Sequence, residues 1–257
     1  MEKFIYELHI TQILKNKNAN PSAKFPVSFS ICKQSCILAQ MNVENFFRQK
    51  LFRQKLICVA VIDKADDAVP LAEALLAGGL NCIEVTFRTT AAADSISKIR
   101  ERVPQMSVGA GTLLSVEQVR QAIGAGAQFG VSPGLNESVL EIANEREFPF
   151  FPGVMTPTEI SCAIEVGCKQ LKFFPAEAAG GISMLKSLAA PFFHLGVKFI
   201  PTGGITIASL QDYLVCPYVA AVGGSWMAER KLITEKNWIK ISKLTADAMN
   251  IIKKSEC

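Results

Sequence analysis

From Leu56 onward the chain repeats one unit eight times: a short apolar run, a turn, then a helical pattern. The apolar runs begin near Ile57, Cys82, Ser107, Gln128, Phe148, Gln170, Lys198 and Tyr218, 20 to 28 residues apart. The helical patterns fall at 68–78, 91–102, 116–125, 137–145, 157–166, 181–189, 206–214 and about 236–254. Short runs without polar alternation suit parallel strands buried on both faces, with each helix returning the chain to the next strand. Eight such units are the arithmetic of an α/β (β/α)8 TIM barrel. A doubly wound sheet usually has fewer strands and a long loop at its switch point, which this pattern lacks. Glycines at Gly78-Gly79, Gly124 and Gly167 stand where helix C-caps are expected.

The first 41 residues break the pattern. Short apolar pieces alternate there with polar runs, and no period is sustained. No uninterrupted apolar core precedes a cleavage site, so a secretory signal is not expected. The arginine expected of a mitochondrial transit peptide is also missing. Met41 then opens a helical pattern through Val43, Phe46-Phe47 and Leu51, an extra N-terminal helix. The expected organisation is a single barrel domain over 42–257. Residues 1–41 would be a weakly ordered extension or a stretch translated from a wrongly chosen start.

Charge narrows the partners. The formal net charge is +4, and residues 1–41 hold five Lys and two Glu, leaving +1 for the rest. No basic patch indicates nucleic acid, and no membrane partner is indicated. The eight Cys are scattered and several lie within apolar patterns, which suits reduced, buried thiols in a cytoplasmic protein. His9 and His194 are the only histidines. That argues against multi-histidine metal centres and, less strongly, against a Ser-His-Asp triad.

In a barrel, chemistry belongs at the C-terminal ends of the strands. The sixth strand carries Lys172 among Leu171, Phe173 and Phe174. Taking an ammonium out of water favours its neutral, nucleophilic form, although a lysine with a buried stem can also reach water at the strand end. The second strand places Glu84, Thr86 and Arg88 on one face by its period of two. In a ring of eight, the second and sixth strands stand opposite, so Glu84 and Lys172 can enter one mouth from facing sides. An acid and an amine sharing a dry site suit Schiff-base chemistry; a structural ion pair is the alternative. The seventh strand ends PTGGI and the eighth VGGSW. Gly203-Gly204 and Gly223-Gly224-Ser225 can offer backbone N–H groups and a hydroxyl to a phosphate, aided by short helix N-termini. Either pair alone could be only a tight turn. Arg88 suits a carboxylate or phosphate clamp, and Thr112 and Thr202 are weaker candidates.

IEVTFRT (83–89), VGAGT (108–112), FGVSPG (129–134), FPGV (151–154), LKFFPAE (171–177), PTGGI (201–205) and VGGSW (222–226) run colinearly over roughly 42–255. Together they resemble the bacterial 2-dehydro-3-deoxy-phosphogluconate aldolase family, whose members often also act as 4-hydroxy-2-oxoglutarate aldolases. The resemblance implies a metal-independent class I lyase without a cofactor, usually a homotrimer, of the Entner–Doudoroff or hexuronate pathway. Its substrate would be a small 2-keto-3-deoxy sugar acid phosphate. Lys172 matches the Schiff-base lysine and Glu84 the general acid/base, while Arg88 and Thr112 match residues holding the pyruvate carboxylate. Thr202, Gly203, Gly204, Gly224 and Ser225 match the phosphate site. A departure falls at Ile62-Asp63-Lys64, where many members carry an arginine. Rival readings are an aldolase for the galactonate-derived isomer or for unphosphorylated 4-hydroxy-2-oxoglutarate, a non-catalytic phosphate-binding barrel, and a barrel synthase.

Overall fold

The computed structural model describes residues 54–255. The extension at 1–41 and the helix expected after Met41 therefore lie outside the described residues. Among the described residues there are nine parallel strands: β1 (Leu56–Ala60), β2 (Cys82–Thr86), β3 (Ser107–Gly111), β4 (Phe129–Val131), β5 (Phe150–Phe151), β6 (Gly153–Val154), β7 (Gln170–Phe173), β8 (Lys198–Pro201) and β9 (Val222–Gly224). The helices are α1 (Ala68–Ala77), α2 (Ala92–Arg102), α3 (Val116–Gly124), α4 (Glu137–Glu145), α5 (Pro157–Glu165), α6 (Gly181–Ala189), α7 (Leu210–Leu214), α8 (Arg230–Thr234) and α9 (Trp238–Ser255).

Six strands pair in the order β5-β4-β3-β2-β1-β9, and three in the order β6-β7-β8. The fifth expected strand is thus divided at Pro152, whose nitrogen has no proton for a ladder. Its first half pairs with β4 and its second with β7. The Pro152 carbonyl still accepts the Lys172 amide at 2.9 Å. On the other flank, single parallel bridges join Phe199 to Val219 and Thr202 to Gly223, linking β8 to β9. Among the described residues the fold is α/β, with parallel strands and intervening helices.

The strands are apolar because both faces are covered. Every residue of β2, β3 and β7 is buried. Side chains such as Phe129, Phe151, Phe173 and Phe199 have less than 2% of their surface exposed. Burying one such side chain contributes about 1.5–3 kcal/mol. Phe129 and Phe151 pack with ring centroids 5.7 Å apart. A methyl on Gly109 would overlap the Phe129 ring, so this glycine makes room for an aromatic on the neighbouring strand. Gly78 has the same role against α9: a Cβ there would lie 2.5 Å from that of Thr245.

Several local readings need correction. Gly78 caps α1, and Gly79 and Gly167 take left-handed backbone just past α1 and α5, as expected, but Gly124 is the last residue of α3 and Gly126 fills that place instead. The last strand begins at Val222 rather than near Tyr218, because a turn closed by the Val219 amide on the Cys216 carbonyl occupies the apolar stretch before it. The pattern at 206–214 yields helix only from Leu210, its first residues forming turns. A short helix, α8, was not expected before α9. Cys58, Cys82 and Cys216 are buried, but Cys162 is exposed on α5. No helix of the described residues is long and apolar enough to cross a membrane.

Candidate active site

Lys172 and Glu84 meet. They come from β7 and β2, strands in different sheets, and are 5% and 2% exposed. Lys172 Nζ donates to Glu84 Oε1 across 3.3 Å. Leu171 and Phe173, on the opposite face of β7, are fully buried. Phe174 shares the lysine's face, with its ring centroid 5.3 Å from Nζ. Two opposite charges removed from water need one another, since either alone would carry an uncompensated desolvation cost. Beside them in β1, burial first and the Glu84 carboxylate second push the Cys58 thiol far above its ordinary range. That thiol stays protonated and offers no competing nucleophile.

Room for the acid comes from β3. A methyl on Gly111 would overlap Glu84 Oε1. The glycine of VGAGT thus gives the carboxylate its seat, a role the sequence reading missed. The signal was there, a glycine inside a strand, which marks a close approach by a neighbour. The next residue, Thr112, takes a φ of +57°, uncommon for a β-branched side chain. It is half-buried at the end of β3.

Next to this pair lies a cavity of about 360 Å3. Arg88, Thr202, Gly203, Gly204 and Ser225 all line it, so five of the expected residues are brought together. Arg88 stands in the turn after β2, beyond the strand itself. Thr86 lines the cavity too, but its hydroxyl donates to the Ala60 carbonyl at 3.1 Å. Thr89 donates likewise to Ile62, at 2.5 Å. These bonds tie the Arg88 turn to the loop after β1. Lys172, Glu84, Thr112 and Gly224 are not among the lining residues; the pair adjoins the cavity through Phe174, which lines it and packs by Lys172 Nζ. A methyl on Gly224 would overlap the Trp226 ring, so Gly224 seats that indole between its lining neighbours Gly223 and Ser225.

The α-helix N-termini at this end do not adjoin the glycine pairs. After the Gly203-Gly204 loop, α7 begins only at Leu210 and has five residues. After Ser225 there is a three-residue 3-10 helix, Trp226–Ala228. What the structure offers instead is close backbone, a serine hydroxyl and two arginines. Gly203 and Gly204 adopt φ values of +104° and +79°, a conformation glycine enters without strain. A side chain on Gly204 would lie 2.7 Å from the Glu177 Cβ.

Two further pairs escaped the sequence reading. Ala176 and Glu177, just past the lysine strand, donate their amides to the carbonyls of Thr202 and Gly203 at 2.8 and 3.0 Å. The Glu177 carboxylate accepts the Tyr213 hydroxyl of α7 at 2.7 Å. Burial, then this carboxylate, push that hydroxyl far above the ordinary tyrosine range. Arg230, the second cation lining the cavity, is held in a two-pronged ion pair by Asp63.

The family model described as KDPG and KHG aldolase matches residues 47–244. A 2-dehydro-3-deoxy-phosphogluconate aldolase of Haemophilus influenzae is 44% identical over 205 residues, covering 80% of this chain and 96% of that protein. A KHG/KDPG aldolase of Escherichia coli is 43% identical, covering 76% and 90%. The crystal structure of KDPG aldolase from Legionella pneumophila, with pyruvate captured at low pH as a covalent carbinolamine intermediate, superposes with a TM-score of 0.73. It is 40% identical and covers 77% of this chain and 96% of its own.

Gly111→Ala is expected to displace the Glu84 carboxylate and reduce turnover by about 10²-fold or more, the order a positioned acid/base contributes. A crystal structure of the variant checks the displacement, and near-normal turnover would sink the role given to Gly111. Spectrophotometric titration of the three tyrosines (Tyr6, Tyr213 and Tyr218) is expected to show a late step belonging to Tyr213. Its raised value keeps the hydroxyl bonded to Glu177 through the range near 10 where free tyrosine ionises. The bond is lost only as pH rises through that raised value, and Tyr213→Phe should delete the late step. A Tyr213→Phe titration that still contains it would reject the assignment.

Proposed function

The chain belongs to the KDPG and KHG aldolase family, and from that premise we propose that its cavity performs class I aldol cleavage of 2-dehydro-3-deoxy-6-phosphogluconate. The products are pyruvate and glyceraldehyde 3-phosphate. The same site cleaves 4-hydroxy-2-oxoglutarate to pyruvate and glyoxylate. The observation that carries this reading is the buried contact between Lys172 Nζ and Glu84 Oε1 beside a cavity with arginines and glycine loops.

In the proposed sequence Lys172 passes a proton to Glu84, and the neutral amine so formed attacks the C2 ketone, giving a carbinolamine. Loss of water, with its proton supplied through Glu84, yields an iminium. The Glu84 carboxylate then takes the C4 hydroxyl proton. The C3–C4 bond breaks, its electron pair moves toward the iminium, and the aldehyde leaves. Protonation of the resulting enamine at C3 and hydrolysis of the iminium release pyruvate and restore the amine. The proposed carboxylate clamp is Arg88 with Thr112, and the proposed phosphate seat is Thr202, Gly203, Gly204, Gly224 and Ser225. Binding energy from the remote phosphate is available to orient the bond that breaks.

The reading is metal-independent. Among the described residues no group of three or more His, Cys, Asp or Glu could hold a metal ion. The division of the fifth strand between the two sheets and the bridges from β8 to β9 support a closed eight-stranded (β/α)8 barrel as one domain over 42–257. A homotrimer in the cytoplasm completes the proposal. The isomeric galactonate-derived phosphate is the closest rival substrate, and comparison of kcat/KM separates the two.

Borohydride reduction in the presence of pyruvate is expected to add about 72 Da, the mass of a reduced lysine imine, on the peptide holding Lys172. A chelator should not prevent it, and Lys172→Arg should abolish both trapping and cleavage. Label on another lysine would discard the site, and cleavage that required a divalent ion would discard the class. Glu84→Gln should keep the fold and slow adduct formation while turnover falls about 10²–10⁴-fold. Near-normal turnover in that variant would assign the proton transfers to another group.

A further inference from the structure

We propose that Arg230 is the specificity-determining cation for the phosphate end of the substrate and that Asp63 holds it in position. The proposal rests on the phosphorylated-substrate reading above and adds a residue to it. Two cationic residues line the cavity, Arg88 and Arg230. Arg88 lies four residues past Glu84, on the strand end that carries the reacting acid. Arg230 lies five residues past Ser225, on the segment that follows the second glycine pair. A substrate with a carboxylate at its reacting end and a phosphate at the other matches cations divided in this way.

The geometry of Arg230 suits an anion. Its Nε donates to Asp63 Oδ2 at 2.7 Å and its Nη2 to Oδ1 at 2.6 Å. A guanidinium has five N–H donors in a rigid fork, so three remain: both protons of Nη1 and one of Nη2. The carboxylate fixes the plane of the fork and leaves that edge unspent. Arg230 in turn holds the Asp63 carboxyl below its ordinary range. Asp63 lies in the loop after β1 and Arg230 opens the short helix α8 after β9, and the two strands are paired, Cys58 of β1 in register with Gly224 of β9.

Stability does not explain the pair. Its side chains are 62% and 36% exposed, and ion pairs of that kind contribute little. Local charge gives it a function. Glu229 also lines the cavity, so without Arg230 an incoming phosphate dianion would meet that carboxylate with Asp63 uncompensated behind it. Arg230 offsets one of those two charges and supplies N–H donors that neither carboxylate has.

The test is the ratio of kcat/KM for 2-dehydro-3-deoxy-6-phosphogluconate to that for 4-hydroxy-2-oxoglutarate, measured in wild type and variants. Arg230→Ala is expected to lower this ratio about 10–100-fold, mainly through a raised KM for the phosphorylated substrate. Arg230→Lys should recover part of it, because the charge returns without the fork. Asp63→Asn separates a ligand cation from a mere strap between loops. It keeps one accepting oxygen for the fork and loses the other, so Arg230 is held less firmly and the ratio should fall, but by less than in Arg230→Ala. Inorganic phosphate should inhibit cleavage of the unphosphorylated substrate competitively in wild type and about tenfold more weakly in Arg230→Ala. An unchanged ratio in Arg230→Ala, or equal losses in Arg230→Ala and Asp63→Asn, would overturn the assignment. A wild type that did not cleave the phosphorylated substrate would overturn the functional reading itself.

Discussion

A lysine and a glutamate buried in contact make a demand that the surrounding structure has to meet. Removing one member of such a pair typically costs about 3–5 kcal/mol, because the survivor is left charged and dry. The contact between Lys172 and Glu84 therefore requires two strands from separate sheets to arrive at the same depth with their side chains aimed at each other. Gly111 vacates the volume the carboxylate fills. The Pro152 carbonyl pins the backbone of the lysine itself. Apolar neighbours keep water out, so the electrostatics of the pair act in a low-dielectric site. The same dryness that makes the pair costly makes it chemically useful.

The rim is built differently. Arg88, Ser225 and Arg230 are exposed and lie outside the strands, and the Thr86 and Thr89 hydroxyls, donating to the Ala60 and Ile62 carbonyls, hold the Arg88 turn in place. In the proposed reading, chemistry sits on strand interiors and recognition on turns that the strands position. A remote anchor on such loops can vary in partner without disturbing the reacting centre. That division agrees with a family whose relatives include both KDPG aldolases and combined KHG/KDPG aldolases.

How much of this was legible follows from what kind of information each feature needs. The strand starts and the meeting of Glu84 with Lys172 follow from periods of two and from counting strands, both local properties of the sequence. Gly111 needs knowledge of which side chain lies across from it, which one strand cannot supply. The pairing of Asp63 with Arg230 spans 167 residues and depends on two loops whose shapes no periodicity encodes. Glu177 with Tyr213 is of the same kind. Where apolar content stood in for strand, as near Tyr218, a turn took the residues instead. The readings for 1–41 lie outside the described residues.

The segment just past the lysine is bonded along its backbone to the loop carrying Gly203 and Gly204, and Glu177 is bonded again to α7. These bonds have a consequence for how the two ends of the site move. Three attachments spread over neighbouring loops leave little freedom for one to shift without carrying the other. The lysine strand and the loop proposed to seat the phosphate are thereby joined in one frame. Under the proposed reading, a phosphorylated ligand held at its far end meets the amine across that fixed span, whereas an unphosphorylated one, with no far anchor, is not measured by it.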